Sequence, residues 1–422
     1  MKEVKIKDDI NSSQKYETYN QLNNQDKNGK ISLKIYYFIY FFLLTIFILS
    51  KIIEKPKHTS NKESFSFVPY FNYIKNCSKL ILYQRTKIKN PIPFISVCLP
   101  VYNMAEYIEK AIFSIINQSF QDFEIIIVND CSGDKTEDIL KRLKDQDDRI
   151  KIIHHTKKLG VYASRMDALL SSKAKYIIFM DPDDMFMNED LFKELYDYNL
   201  KNNLDIIEFS VYHKNEGSEV IYSPKDHRKT HYHKFSKDII HQPELSDILF
   251  LNPETKKYSH TICRNIWNKL IRKEVLINTM KYIGDDYYKN QLIITADDML
   301  MNIISYHYAN NYSNINLPGY LYTIRNTSMS RGDGGIELSI IRSINHLLYF
   351  KIFLKYLKEF NKDRNFLFYE LKELGYKLFT FKDFNITKYK PDVVNFYNEI
   401  IVDTNATNDF KKYASDLIEY FK

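Results

Sequence analysis

Residues 94–134 read FISVCLPVYNMAEYIEKAIFSIINQSFQDFEIIIVNDCSGD. Two short, continuous apolar runs, 95–101 and 123–128, flank a segment whose apolar residues recur at the i, i+3, i+4 spacing of a helix. Continuous apolar runs of this length are typical of strands that are buried on both faces. The stretch therefore predicts a strand–helix–strand unit, and such alternation predicts a parallel sheet with right-handed crossovers.

The same alternation continues with short, mainly apolar runs at 150–153 and 176–180, separated by a helical pattern. The predicted fold class is therefore α/β, with a mostly parallel sheet flanked by helices. The polar clusters that we consider as a site follow the first, second and fourth runs, and Asn103 also stands where it can cap the next helix. In such sheets ligands bind beyond the carboxyl ends of the strands. The polar groups at this edge are Tyr102-Asn103, Asn129-Asp130 and Asp181-Pro182-Asp183-Asp184.

At these residues the sequence resembles the family 2 glycosyltransferases, which have the GT-A fold. The segments that carry the resemblance are 96–103, 115–123, 128–134 and 176–184. Two positions depart from the family pattern, since Asn129 replaces an Asp and Met166 stands where the family often has Asn. The resemblance implies a nucleotide-sugar donor and a reaction that inverts the anomeric carbon.

Asp181, Asp183 and Asp184 follow the fourth apolar run directly. Clustered carboxylates offer the hard oxygen ligands that Mg²⁺ or Mn²⁺ prefers, and such a cation can neutralise a leaving diphosphate. By spacing alone, an acidic turn that caps the next helix explains the cluster equally well. The resemblance favours a divalent cation on these three residues.

Asp130 can accept a hydrogen bond from a nucleobase, and the Tyr102 ring can lie against it. An Asx turn and an ordinary half-buried tyrosine are the alternatives for these two residues. Arg165 can reach a phosphate, although an arginine on a helix surface is usually only solvated. Arg325, in a segment that resembles a family loop (320–330), can cover the diphosphate. The predicted donor-binding residues are Pro100, Tyr102, Asn103, Asp130, Arg165, Asp181 and Arg325.

Asp297 and Asp298 head an apolar helical run, IITADDMLM, at 293–301. The resemblance implies that Asp298 is the catalytic base, with Asp297 in place of the family's Glu. The alternative is that the macrodipole simply favours acids at a helix start. Upstream, Trp267 and Lys269 lie in IWNKL, which resembles a family segment, and we expect both to contact the acceptor.

Residues 35–53 form an apolar segment of 19 residues whose single charge, Lys51, lies near its end. As a helix it would span about 28 Å, close to the roughly 30 Å of a bilayer core. We predict a single-pass membrane helix, a buried core helix being the alternative. Lysines on both sides leave its orientation open. If the organism is eukaryotic, the Golgi or another endomembrane is the expected location.

The remaining organisation is predicted from composition and pattern. The net charge of +7 is spread over interleaved acids and bases, which argues against a nucleic-acid partner. The four cysteines form no CxxC pair, so a zinc site is not expected. The predicted regions are a polar tail (1–34), the membrane helix (35–53), a stem (54–92), a nucleotide-sugar-binding half (93–190), an acceptor-binding and catalytic half (191–335) and a helical extension (336–422).

Together these features predict a membrane-anchored, metal-dependent hexosyl- or N-acetylhexosaminyl-transferase that uses a UDP-sugar. Its acceptor would be a hydroxyl of a glycan, glycoprotein or glycolipid. One alternative is a nucleotidyltransferase on a similar sheet, which would favour a glycine-rich loop after the first strand. Another is a binding module that has kept the fold and lost its chemistry.

Overall fold

The computed structural model describes residues 92–218, 220–222, 239–242, 245, 265–285, 287, 292–325, 335–371 and 390–421. All of them belong to one unit of the chain, Tyr70–Lys422. The predicted tail, the predicted membrane helix and all but the last residue of the predicted stem lie outside these ranges. Among the residues described, no helix is both long and apolar enough to cross a membrane.

Ten strands of the described ranges form one sheet. Their order is β3-β2-β1-β4-β9-β6-β10-β5, with β7 beside β6 and β8 beside β10. The strand bounds are β1 Ile95–Val101, β2 Phe123–Asn129, β3 Ile150–His154, β4 Tyr176–Phe179, β5 Met185–Phe186, β6 Ile206–Asn215, β7 Ile221–Tyr222, β8 Ile240–His241, β9 Lys269–Arg272 and β10 Asn311–Ile324.

The sheet is mixed, with both parallel and antiparallel strand pairs. Strands β3, β2, β1 and β4 are parallel to one another, as predicted. Beyond them β9 runs antiparallel to both β4 and β6, β10 is parallel to β6, and β5 is antiparallel to β10. The antiparallel pairs were not predicted, because a short apolar run has the same residue pattern in either direction.

The described ranges contain ten helices. Their bounds are α1 Ile108–Ile116, α2 Thr136–Gln146, α3 Val161–Ser171, α4 Leu191–Asn202, α5 Lys273–Ile283, α6 Asp297–Tyr308, α7 Gly335–Glu359, α8 Asn365–Glu370, α9 Lys390–Val402 and α10 Asn408–Phe421.

Asn103 does not cap α1, contrary to the prediction. It adopts a left-handed conformation (φ 53°), and α1 begins only at Ile108. The Asn103 side chain instead accepts a hydrogen bond from the Gly133 N–H at 2.8 Å. It thereby joins the loop after β1 to the loop after β2.

The core lies on both faces of the sheet, as the continuous apolar runs predicted. Along β1, Val97 and Leu99 pack with α1, whereas Cys98 packs on the opposite face with α3. That second face also contains Leu300 of α6 and Phe350 of α7. The helices of the predicted extension therefore share one core with the helix that begins at Asp297.

Candidate active site

The loops after β1 and β2 form one side of the candidate site. The Asp130 N–H donates to the carbonyl of Val101 at 2.8 Å, and the Asn103 N–H donates to Ser132 Oγ at 3.0 Å. Pro100 is buried within β1, opposite Val128 of β2. The predicted donor-binding residues of these two loops therefore lie side by side.

The Tyr102 ring is half-buried and lies beneath an ammonium group. Lys158 Nζ is 3.6 Å from the ring centroid, within the range of a cation–π interaction. Sequence reasoning missed Lys158, which is exposed on the loop between β3 and α3. A cation beside an aromatic ring is a suitable neighbour for an anionic, planar ligand such as a nucleotide.

Asp130 is buried and fixed by the loop that leads from β3 to α3. Its carboxylate accepts hydrogen bonds from the N–H groups of Leu159 (2.7 Å) and Gly160 (2.8 Å). His155 Nδ1 lies 2.7 Å from Asp130 Oδ1, and His155 Nε2 lies 2.8 Å from Asp167 Oδ2. Sequence reasoning missed His155, although its position just after β3 places it at the same sheet edge. A nucleobase contact of Asp130 stays a prediction.

Arg165 joins the two halves of the site. This buried guanidinium donates from Nη2 to Asp181 Oδ1 at 2.9 Å, and from Nη1 to Asp297 Oδ2. Burial works against the charge, but Asp297 and Asp181 outweigh it and raise the pKa of Arg165. The end of β4 is thus tied to the start of α6, a role that the resemblance did not imply.

The remaining acids after β4 differ in their surroundings. Two nitrogens of Arg325, Nε (2.8 Å) and Nη2, donate to Asp183 Oδ2, and the guanidinium lies 4.5 Å from the centroid of the Tyr107 ring. Asp184 is almost fully buried and accepts hydrogen bonds from the Tyr320 hydroxyl (2.8 Å) and the Thr323 N–H (2.7 Å). Asp184 therefore ties the turn to β10 and is not placed as a metal ligand.

Negative charge is in excess at this edge. Burial, and then the charge of Asp181, raises the pKa of Asp183 in spite of Arg325. Burial and the charge of Asp183 raise the pKa of Asp184 far above its usual range. Hard carboxylate oxygens with uncompensated charge fit a divalent cation. Asp181, whose side chain is 27% exposed, and Asp183 are the residues placed to hold it.

The two carboxylates suit a cation that is shared with a substrate. Within the described part of the chain, no three acidic, histidine or cysteine side chains are arranged to hold a metal ion by themselves. Mg²⁺ in phosphate-transferring sites is commonly held by one or two carboxylates together with substrate phosphates. The pair Asp181 and Asp183 fits that arrangement.

Asp297 and Asp298 begin α6 after a left-handed residue, Ala296 (φ 64°). Asp297 is buried and paired with Arg165. Asp298 is only partly buried, and its Oδ1 accepts a hydrogen bond from the Met299 N–H at 2.9 Å. Burial, together with the charge of Asp297, raises the pKa of Asp298 to about 7. Such a carboxyl group is suited to accept a proton near neutral pH.

The two predicted acceptor residues are buried. Trp267 is 5% exposed, and its ring stacks on those of Tyr320 (4.2 Å between centroids) and Tyr322 (5.6 Å). Lys269 is fully buried on β9, where its ammonium lies 3.3 Å from Glu208 Oε2. The prediction that Lys269 contacts the acceptor was wrong, because its charge is held inside the sheet by Glu208.

The fold matches that of solved glycosyltransferases. The crystal structure of Staphylococcus aureus TarS residues 1–349 superposes with a TM-score of 0.54, at 18% identity, over 78% of this chain and 88% of that one. TarS in complex with UDP-GlcNAc gives a TM-score of 0.52. With the acidic turn after β4 at the carboxyl ends of the strands, the fold is that of the GT-A glycosyltransferases, as predicted.

The sequence identifies the family. Residues 96–278 match glycosyl transferase family 2. These residues form a domain of that family. The chain is 38% identical over 103 residues to the putative teichuronic acid biosynthesis glycosyltransferase TuaG of Bacillus subtilis, over 24% of this chain. It is 36% identical over 98 residues to the GalNAc(5)-diNAcBac-PP-undecaprenol beta-1,3-glucosyltransferase of Campylobacter jejuni, over 23% of this chain. The matches span 41% and 32% of those two relatives.

Proposed function

We propose that this protein transfers a sugar from a UDP-sugar to a hydroxyl group of a glycan or glycoconjugate, with inversion at the anomeric carbon. The observation that carries the proposal is the position of Asp298. Asp298 directly follows Asp297, which Arg165 joins to Asp181 at the predicted diphosphate site. Burial and the charge of Asp297 raise the pKa of Asp298 to about 7. The ion pairs of Arg165 thereby tie the neighbour of the proposed base to the proposed site of the leaving group.

The names of related proteins support the donor and the stereochemistry. The structural neighbour TarS has been crystallised with UDP-GlcNAc. The Campylobacter relative is named as a beta-1,3-glucosyltransferase, and its name includes an undecaprenol-linked glycan. Formation of a β linkage from an α-linked nucleotide sugar is an inversion. These names favour a UDP-hexose or UDP-N-acetylhexosamine donor and a glycan acceptor for this chain.

The proposed reaction is a single in-line displacement. Asp298 accepts the proton of the acceptor hydroxyl, whose oxygen attacks the anomeric carbon while the bond to the diphosphate breaks. Arg325, which directly follows β10, donates to Asp183 in the free protein. In the proposed reaction it releases Asp183 and pairs with the departing diphosphate. A divalent cation on Asp181 and Asp183 would supply further charge neutralisation for the leaving group.

Two alternatives fit less well. The loop after β1 continues as Tyr102-Asn103-Met104, without the glycine-rich phosphate loop expected of a nucleotidyltransferase. A binding module without activity would have no need of an acidic pair at 297–298 that Arg165 ties to the acidic turn after β4. The decisive experiment is a panel of UDP- and GDP-sugars with Mn²⁺ and candidate glycan acceptors. Donor binding without transfer or hydrolysis across the whole panel would favour the binding module.

We predict that the reaction depends on a divalent cation. Chelation with EDTA should abolish transfer, and added Mn²⁺ or Mg²⁺ should restore it. The reason is that the carboxylate oxygens of Asp181 and Asp183 would bind the cation beside the leaving group. Asp183→Ala should weaken Mn²⁺ binding, measured by electron paramagnetic resonance titration. Full activity of Asp183→Ala in the presence of EDTA would remove the metal assignment.

We predict that kcat/KM rises with pH up to about 7 and then levels off, since the pKa of Asp298 is about 7. Below that pH the carboxyl group is protonated and cannot accept the hydroxyl proton, so the rate should fall about tenfold per pH unit. The measurement is a pH–rate profile from pH 5 to 9. A flat profile across this range would exclude Asp298 as the titrating base.

We also propose that residues 35–53 anchor the protein in a membrane, because this apolar segment is long enough to span one. The full-length protein should remain in the pellet after alkaline carbonate extraction of membranes. A version that lacks residues 1–53 should be released. Release of the full-length protein by carbonate would reject the anchor.

A further inference from the structure

The segment before the proposed base, 292–294, is held from two sides. On one side, Ile293 forms a parallel bridge with Gly160, and its carbonyl accepts the Val161 N–H at 2.9 Å. The contact is so close that a Cβ on Gly160 would lie 2.4 Å from the Ile293 oxygen. On the other side, the carbonyl of Leu292 and the N–H of Ile294 point away from Gly160, because backbone groups alternate in direction along an extended segment.

The Leu292 carbonyl and the Ile294 N–H both form hydrogen bonds with one side chain of α7. Asn345 Oδ1 accepts the Ile294 N–H at 2.9 Å, and Asn345 Nδ2 donates to the Leu292 carbonyl at 3.1 Å. The amide thus takes the place of a neighbouring strand. Asn345 is 1% exposed, and burying an amide is unfavourable unless it is hydrogen-bonded. Its two bonds to the segment meet that requirement.

The held segment leads directly to the catalytic carboxylates. Two residues separate Ile294 from Asp297, and the second of them, Ala296, is left-handed (φ 64°). A non-glycine residue in that conformation is strained and persists only where its surroundings fix it. Gly160 fixes the segment from the donor half, whereas Asn345 fixes it from the helical extension. Helix α7 is in turn packed on α6, where the ring of Tyr356 lies against that of His307 at 5.5 Å between centroids.

We infer that Asn345 is a positioning residue that sets the orientation of Asp298 by holding residues 292–294. The inference rests on the proposed function, in which Asp298 is the base. It gives the helical extension a part in the reaction, although none of the contacts of the acidic cluster described above comes from that region.

The test compares Asn345→Leu with Phe350→Leu in the full chain. Both replace a buried α7 side chain by leucine, but only the first removes the two hydrogen bonds. Asn345→Leu should lower kcat about 10–100-fold, since a displacement of about 1 Å can have that effect. Donor KM should stay near the wild-type value, and the acid limb of the pH–rate profile should shift. Hydrogen–deuterium exchange should quicken in peptides that cover residues 292–298. Phe350→Leu should leave kcat, the acid limb and this exchange close to wild type.

Two results would overturn the inference in distinguishable ways. If Asp298→Asn is inactive while Asn345→Leu keeps the wild-type kcat, acid limb and exchange rate, Asn345 does not position the base. If Asp298→Asn itself stays active, the base assignment fails and the inference fails with it. Should Asn345→Leu not fold, Asn345→Ser serves instead, because its hydroxyl is too short to bridge both backbone groups.

Discussion

Asp298→Asn should lower kcat roughly 10²–10⁴-fold, the usual effect of removing a general base. Asparagine keeps the size of the side chain and can still accept the hydrogen bond from the Met299 N–H, but it cannot take a proton from the acceptor hydroxyl. Donor affinity should be unchanged because the donor-binding loops after β1 and β2 are left intact. Donor titration and steady-state kinetics on the purified variant measure both quantities.

Two comparisons sharpen this test. Asp130→Ala should act in the opposite way and raise the donor KM, because Asp130 holds the loop of Leu159 and Gly160 beside the proposed nucleotide site. The anomeric configuration of the product, read by NMR, tests the displacement itself. Near wild-type turnover by Asp298→Asn would move the base elsewhere, with Asp297 as the next candidate. Retention of the donor's configuration would exclude a single displacement.

The first half of the fold could be predicted from the sequence because its signals are local. Short, mainly apolar runs mark β1 to β4, and helical spacing marks the helices between them, so the parallel order followed from the crossover rule. The direction of β9 could not be predicted. Its four residues, Lys269–Arg272, include two charged side chains and give no clear strand signal, and its pairing with β4 and β6 is decided by residues distant in the chain.

In the candidate site, too, only the features with a local sequence signal could be predicted. The acidic residues at the strand ends could be found in the sequence, since strand ends meet at one edge. Their partners could not be found, because the pair Arg165–Asp297 joins residues 132 positions apart. The pair Arg325–Asp183 joins residues 142 positions apart. The segment IWNKL does not indicate whether Lys269 is buried or exposed, so the sequence alone favours a contact with the acceptor.

Lys269→Met should lower the free energy of unfolding by about 3–5 kcal/mol, the typical cost of removing one partner of a buried ion pair. Lys269 and Glu208 are 0% and 1% exposed, and no water can take over the charge that is left. The hydroxyls of Tyr306 and Tyr312, each 3.3 Å from Glu208 Oε2, continue to donate to it, so the lower end of the range is expected. Urea denaturation of the purified protein gives the measurement.

A matched surface variant separates burial from charge. Lys351 pairs with Asp392 at 3.0 Å, but their side chains are 35% and 56% exposed, so Lys351→Met should cost less than about 1 kcal/mol. The double variant Lys269→Met, Glu208→Gln should regain much of the loss, because no unpaired charge then remains inside the sheet. If Lys269→Met is no more destabilising than Lys351→Met, then Lys269 does not stabilise the sheet from inside. A role for its ammonium group outside the core, at the acceptor, would then have to be considered again.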